Sequence, residues 1–214
     1  TDVARIMRLG NRFSEVMDRD IKKVPTLRGR TVINLFVESS TRTATSFELA
    51  GKRLSADVVN VKGSGSSMDK GETLKDTVIT LSSYAPDVIV VRHASAGACQ
   101  LAARHSDAAI VNAGDGKNEH PTQTLLDLYT IEREVGPLDG LHIAFVGDVA
   151  HSRVARSGAI GFQMMGARVS VVGPPTLIPR DAEAALGVSV STDVRDIADA
   201  DVVYVLRMQL ERMC

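Results

Sequence analysis

Four short polar clusters hold most of the side chains with which this sequence could bind or transform a small molecule. The first, Ser40-Thr41-Arg42-Thr43, follows the apolar run Thr31 to Val37 and opens a stretch of helical character. Three hydroxyls, an always-charged guanidinium and the backbone N–H groups of a helix start are the inventory of a phosphate site. The same residues also suit a plain helix N-cap. The second cluster is Ser66-Ser67-Met68-Asp69-Lys70-Gly71-Glu72, where Lys70 either adds charge to an anion site or stands solvated on a Gly/Ser loop. The third is Arg92-His93, directly after Val88 to Val91. The fourth runs from Gly114 to Gln123 and contains His120-Pro121-Thr122-Gln123. Proline suits the first helical turn, which puts His120 at the cap and Gln123 one turn inward, where both can face one pocket.

The elements that must carry these clusters alternate. Val3, Ile6, Met7, Phe13, Val16 and Met17 repeat at helical spacing. Strand-like runs at 31–37, 57–61, 87–91 and 108–111 are each followed by a helical stretch, the last from Pro121 to about Glu134. Gly136-Pro137 and Asp139-Gly140 mark a linker. Beyond it the order resumes, with a strand at 141–146, a helix from about Ser152 to Met165, a strand at 168–172, and weaker strands around Val188 and 202–206. Strands separated by helices of this length predict βαβ units and parallel sheets. The expectation is therefore α/β, with two doubly wound domains of central parallel sheet: residues 1–134, and 135–214 as an incomplete second domain. In such sheets ligands bind beyond the carboxyl ends of the strands, and the four clusters fall there.

Composition removes other classes. The 214 residues carry 25 Lys+Arg against 26 Asp+Glu, with 4% aromatics, so neither a basic face nor stacking rings suggest nucleic acid. Apolar runs are far too short to cross a bilayer, and the N-terminus has no leader pattern. Cys99 and Cys214 form no C-x-x-C pair, so neither a disulfide framework nor a zinc site is expected, and a reducing cytoplasm is the default. The motifs of dinucleotide binding, P-loop hydrolysis, zinc proteolysis and the nucleophile elbow are missing or fragmentary; Gly147-Asp148 is only a piece of the first. An anion site without metal remains. A start at Thr1 and a finish at Cys214 within a charged segment are those expected of a piece of a longer chain.

Taken in order, the clusters resemble the aspartate/ornithine carbamoyltransferase family. Ser40-Thr41-Arg42-Thr43, followed by Ser46-Phe47-Glu48, is similar to the family's S-T-R-T carbamoyl phosphate signature. His120-Pro121-Thr122-Gln123, after Asn112-Ala113-Gly114-Asp115-Gly116, is similar to its H-P-x-Q motif. Two features resemble the aspartate branch: Ser66 and Lys70 before Gly71-Glu72-Thr73, and Arg207-x-Gln209-x-Glu211-Arg212. A dicarboxylate requires cations, which would repel an ornithine side chain. Departures are Ala44, where many members carry arginine, and Ala94, where proline is common.

The resemblance implies transfer of the carbamoyl group of carbamoyl phosphate to L-aspartate, an early step of pyrimidine synthesis, without cofactor or metal. It implies that Ser40, Thr41, Arg42 and Thr43 hold the phosphate, completed by Ser66 and Lys70 from an adjacent subunit of a homotrimer, which in some members has regulatory partners. Thr43, Arg92 and His120 would donate to the carbonyl oxygen, and Gln123 would accept from the carbamoyl NH2. Arg153 would bind the α-carboxylate of aspartate, and Arg207 and Gln209, with Lys70 nearby, the β-carboxylate. Transfer to ornithine or another amine, and a non-catalytic fragment that retains phosphate binding, are the alternatives.

Overall fold

A computed structural model describes residues 2–209, which divide into two compact units. One runs from Arg12 to Gly116; the other joins the residues up to Asn11 to those from Lys117 on. In chain order the elements are α1 (Asp2–Met17), β1 (Thr31–Phe36), α2 (Thr41–Arg53), β2 (Asp57–Lys62), α3 (Leu74–Ser82), β3 (Val88–His93), α4 (Ala98–Ala103) and β4 (Ala109–Asp115). They continue with α5 (Pro121–Glu134), β5 (His142–Val146), α6 (Arg153–Met164), β6 (Arg168–Val172), α7 (Ala182–Leu186), β7 (Ser189–Ser191) and β8 (Val202–Val205).

The first unit is built on a parallel sheet of order β2-β1-β3-β4. β1 is buried along almost its whole length, and its side chains divide by the two-residue period of a strand. Ile33 and Leu35 join Val78 and Leu81 of α3 and Cys99 and Ala102 of α4; Val32 and Phe36 face the side on which Ala44 and Phe47 of α2 pack. Helices on both faces are what an all-parallel sheet demands, because neither face is polar enough to meet water.

The second unit holds a parallel sheet of order β7-β6-β5-β8. Ile143 and Phe145 of β5, and Val169 and Val171 of β6, share a core with Phe162 of α6 and Leu128 and Ile131 of α5. That shared core, and the packing of α5 on α6, group α5 with the second sheet, whereas the sequence reading drew its boundary after residue 134. Both expected parallel sheets are present. The Gly/Ser loop after β2 holds a short 3₁₀ turn at Ser67–Lys70 that Ser66 caps.

The α5–α6 contact has one tight point. A Cβ at Gly161 would lie 2.3 Å from Cγ2 of Thr124, a stiff β-branched side chain on α5. Gly161→Ala is expected to destabilise the protein by about 1–3 kcal/mol, the usual cost of overpacking, and to lower the urea midpoint without changing the slope. An unchanged midpoint would show that the two helices separate freely.

Candidate active site

Each sheet contains a point at which the winding direction reverses, and open α/β sheets bind ligands in the crevice beyond that point. In the first sheet the chain passes from β1 outward to β2 and then returns to the other side of β1 as β3, so the reversal lies between β1 and β3. In the second it runs β5, β6, β7 and returns beside β5 as β8. In each unit taken by itself, the predicted binding residues lie beyond the carboxyl ends of the strands or at a helix start.

At the first reversal Ser40 is the N-cap of α2 and its Oγ accepts from the Thr43 N–H at 3.4 Å. The capping role is therefore real, and it engages the Thr43 amide alone; Thr41 and Arg42 open the helix, where geometry gives their N–H groups no acceptor within the helix. Arg42 is exposed and Thr43 half-buried. Arg92, at the end of β3, donates from Nη2 to Glu38 Oε1 at 2.7 Å and from Nη1 to the Ala113 carbonyl at 3.1 Å. Its own carbonyl accepts from the N–H groups of Val37 and Glu38 at 2.9 and 3.2 Å, which ties the exit of β1 to that of β3. An anionic ligand therefore competes with Glu38 for this guanidinium. His93 serves the turn: its Nδ1 accepts from the Ser95 N–H at 2.9 Å, and burial pushes the imidazole down, so it is neutral at pH 7.

Ser66 and Lys70 lie in the loop beyond β2, the strand next to β1. The Ser66 hydroxyl donates to the Gly63 carbonyl at 2.6 Å and accepts from the Met68 N–H at 3.3 Å, while Lys70 is exposed at the end of its 3₁₀ turn.

At the second reversal the organiser is Asp148, which sequence reasoning passed over. Its carboxylate is fully buried; Oδ2 accepts from the Gln209 N–H at 3.0 Å, and Oδ1 from the His151 N–H at 3.2 Å and ring Nδ1 at 2.8 Å. Burial would raise this carboxyl, but the hydrogen bonds from Gln209 and His151 outweigh it and hold it below the usual value, so it is ionised at pH 7. Gly147 allows the approach: it has φ +115°, and a Cβ there would stand 2.7 Å from the Leu206 carbonyl oxygen.

Around this knot, Arg153 opens α6 with only 2% exposure, and Gln209 is buried with its Nε2 directed to the Arg207 carbonyl at 3.4 Å. Arg207 is exposed and bonds the Met208 carbonyl at 3.2 Å. Glu211 and Arg212, part of the same predicted loop, lie outside the described residues. Asp148→Ala is expected to weaken binding of a carboxylate ligand at this reversal about 10–100-fold and to leave phosphate affinity unchanged, because it unties the chain that carries Gln209. Equal loss of both affinities would mean general unfolding of the unit.

His120 and Gln123 sit at the start of α5. His120 is buried at the cap, where its N–H donates to the Ser157 hydroxyl oxygen at 2.8 Å, and that hydroxyl donates to the Glu119 carboxylate. Thr122 Oγ1 lies 3.4 Å from the His120 Nδ1. Gln123 donates from Nε2 to Asp127 Oδ1 at 2.9 Å, and Tyr204 donates its hydroxyl to Asp127 Oδ2 at 2.9 Å. Burial pushes both Asp127 and Tyr204 up from their ordinary values. Glu38, Asp148 and Asp127 escaped sequence reading for one reason: each is a carboxylate that serves a cation or amide, and no motif spacing marks such a partner. Gly147-Asp148 directly after a strand was the one available signal. Among the described residues no three His, Cys, Asp or Glu are placed to hold a metal, and no helix is long and apolar enough to cross a membrane.

Residues 1–133 match the family model described as the aspartate/ornithine carbamoyltransferase, carbamoyl-P binding domain. The aspartate carbamoyltransferase catalytic subunit of Magnetococcus marinus is 55% identical over 218 residues, covering 99% of this chain and 66% of its own length; that of Desulfotalea psychrophila is 54% identical, with the same coverage. The chain thus spans about two thirds of the length of these curated relatives. Trypanosoma cruzi aspartate transcarbamoylase, solved with carbamoyl phosphate and aspartate, superposes with a TM-score of 0.87 at 36% identity, covering 99% of this chain and 70% of that one. The catalytic subunit of M. jannaschii aspartate transcarbamoylase gives 0.85 at 39% identity, covering 99% and 72%. With two reversal points bearing the family's motifs and a family model matching more than half its length, the chain belongs to the aspartate/ornithine carbamoyltransferase family.

Proposed function

We propose that this chain carries the substrate-binding groups of an aspartate carbamoyltransferase, which transfers the carbamoyl group of carbamoyl phosphate to L-aspartate. The observation that carries the reading is the matching of groups to charge at the two reversal points. The N-capped helix start that carries Arg42, with Arg92 at the end of β3, suits a phosphate dianion, and Arg153 with Arg207 and Gln209 suits a dicarboxylate. Complexes of the related T. cruzi enzyme with both compounds support it.

In this reading the aspartate amino nitrogen attacks the carbonyl carbon, the bond from that carbon to the bridging oxygen breaks, and phosphate leaves with the electron pair. The nitrogen loses a proton, giving N-carbamoyl-L-aspartate. Ser40, Thr41, Arg42 and Thr43 hold the phosphate and stabilise it as a leaving group. Thr43, Arg92 and His120 donate to the carbonyl oxygen as it gains charge, and Gln123 accepts from the carbamoyl NH2. Arg153 takes the α-carboxylate, with Arg207 and Gln209 on the β-carboxylate; holding both ends aims the amine and supplies the proximity effect.

The exposed Lys70 and its partner Ser66 are assigned to the site of a neighbouring subunit in a homotrimer. The division of labour places carbamoyl phosphate binding in residues 1–134 and aspartate binding in 135–214. A cytoplasmic setting within pyrimidine synthesis completes the reading.

The test is a product assay with carbamoyl phosphate and either aspartate or ornithine. Formation of carbamoyl aspartate, with ornithine inert, is expected. Equal use of ornithine would overturn the acceptor assignment. Phosphate binding without turnover would favour a non-catalytic fragment.

A further inference from the structure

The Gln123 side-chain amide has two ends of nearly equal shape, and only one of them can accept from an NH2 group. Its orientation decides whether the site favours a carbamoyl group or rejects it. Gln123 and Asp127 stand four residues apart on α5 and so share a helix face. A carboxylate has no proton to give, so the 2.9 Å contact to Asp127 Oδ1 must be made by the Gln123 NH2. Asp127 is itself held: Tyr204 of β8 donates to its other oxygen at 2.9 Å, and the Tyr204 ring packs 4.9 Å from the ring of the fully buried Phe145. Burial and the neighbouring Asp127 keep the phenol protonated, hence a donor.

We propose that Asp127 and Tyr204 are positioning residues that lock the Gln123 amide with its oxygen left to accept from the carbamoyl NH2, and that they thereby set the preference for a carbamoyl over an acyl phosphate. This rests on the role of Gln123 given under Proposed function. The chain Gln123–Asp127–Tyr204 also runs to β8 three residues before Arg207, so the group that reads the carbamoyl and the strand that leads to the carboxylate-binding loop share one anchor.

Two stable ligands isolate the effect. Phosphonoacetamide and acetonylphosphonate share the phosphonate and the carbonyl and differ only in NH2 against CH3. The intact protein is expected to prefer the amide at least about 10-fold by calorimetry, the discrimination of one hydrogen bond whose loss leaves a half-buried acceptor unpaired. The double substitution Asp127→Leu with Tyr204→Phe removes both polar partners together. It is expected to abolish the preference by weakening the amide ligand while the ketone binds within about 2-fold of its original affinity.

Asp127→Asn keeps the volume and lets the Gln123 amide turn over, so the preference should fall at least about 3-fold even where the double variant fails to fold. A purely structural role would weaken both ligands alike. That result, or an unchanged preference in the variants, overturns the positioning role and leaves carbamoyl phosphate binding standing. A wild-type protein that binds both ligands equally would overturn the role of Gln123 itself and this proposal with it.

Discussion

Arg42→Ala is expected to lower kcat/KM for carbamoyl phosphate on the order of 10³-fold, equivalent to about 4 kcal/mol. The side chain lies at the second position of α2, exposed, on an element whose first turn is capped by Ser40. Its removal therefore leaves the fold and the cap intact, and the urea midpoint should not move. On the proposed reading, what is lost is a guanidinium that would grip the phosphate in the ground state and gain strength as negative charge moves onto the leaving oxygen. Lys in its place restores charge without the fork and should recover only part of the rate.

The shared-site reading adds a sharper consequence. If Lys70 serves a neighbouring subunit, mixing Arg42→Ala with Lys70→Ala chains creates some sites that hold both native residues, and activity should return. Mixtures that stay as inactive as their parents would contradict sharing. Rates, sedimentation of the mixed assembly and product assays check this directly.

His120→Ala should lower kcat about 10²–10³-fold with little change in the KM for aspartate, the pattern for a donor that acts on the developing oxyanion. The position of His120 is fixed from behind. Its N–H is bonded to the Ser157 hydroxyl of α6, whose proton goes to Glu119, and Pro121 fixes the first turn that follows. Truncating the side chain leaves these backbone anchors in place, so near-native circular dichroism is expected. His120→Gln, which keeps an N–H donor of similar reach, should recover part of the loss. A proportional rise in aspartate KM, with kcat unchanged, would remove His120 from the transition state and make it a carboxylate ligand.

Alternation of buried runs with helical stretches made both sheets legible, because β1 and β5 are buried along their length and parallel strands read as continuous apolar segments. Arg42, Arg92 and His120 were visible as motifs at strand or helix ends. Their partners were not. Glu38 meets Arg92 across 54 positions, Asp148 meets Gln209 across 61, and Tyr204 meets Asp127 across 77. Such pairings are created by strand order, which local spacing does not encode. The grouping of α5 with the second sheet was hidden for a similar reason: Leu128 and Ile131 show that a face is apolar, and only the fold shows which core receives it.

The most direct measurement is the affinity of a bisubstrate mimic in which a phosphonate is joined through an acetyl group to the nitrogen of L-aspartate. Calorimetry against the phosphonate half alone is the control. Groups at both reversal points acting on one substrate pair predict binding at least about 10³-fold tighter than the half ligand, weakened at least about 10-fold by Arg207→Ala while the affinity of the half ligand stays unchanged. A mimic that binds no better than its phosphonate portion would mean that the Arg42 set and the Arg153, Arg207 and Gln209 set do not serve one reaction.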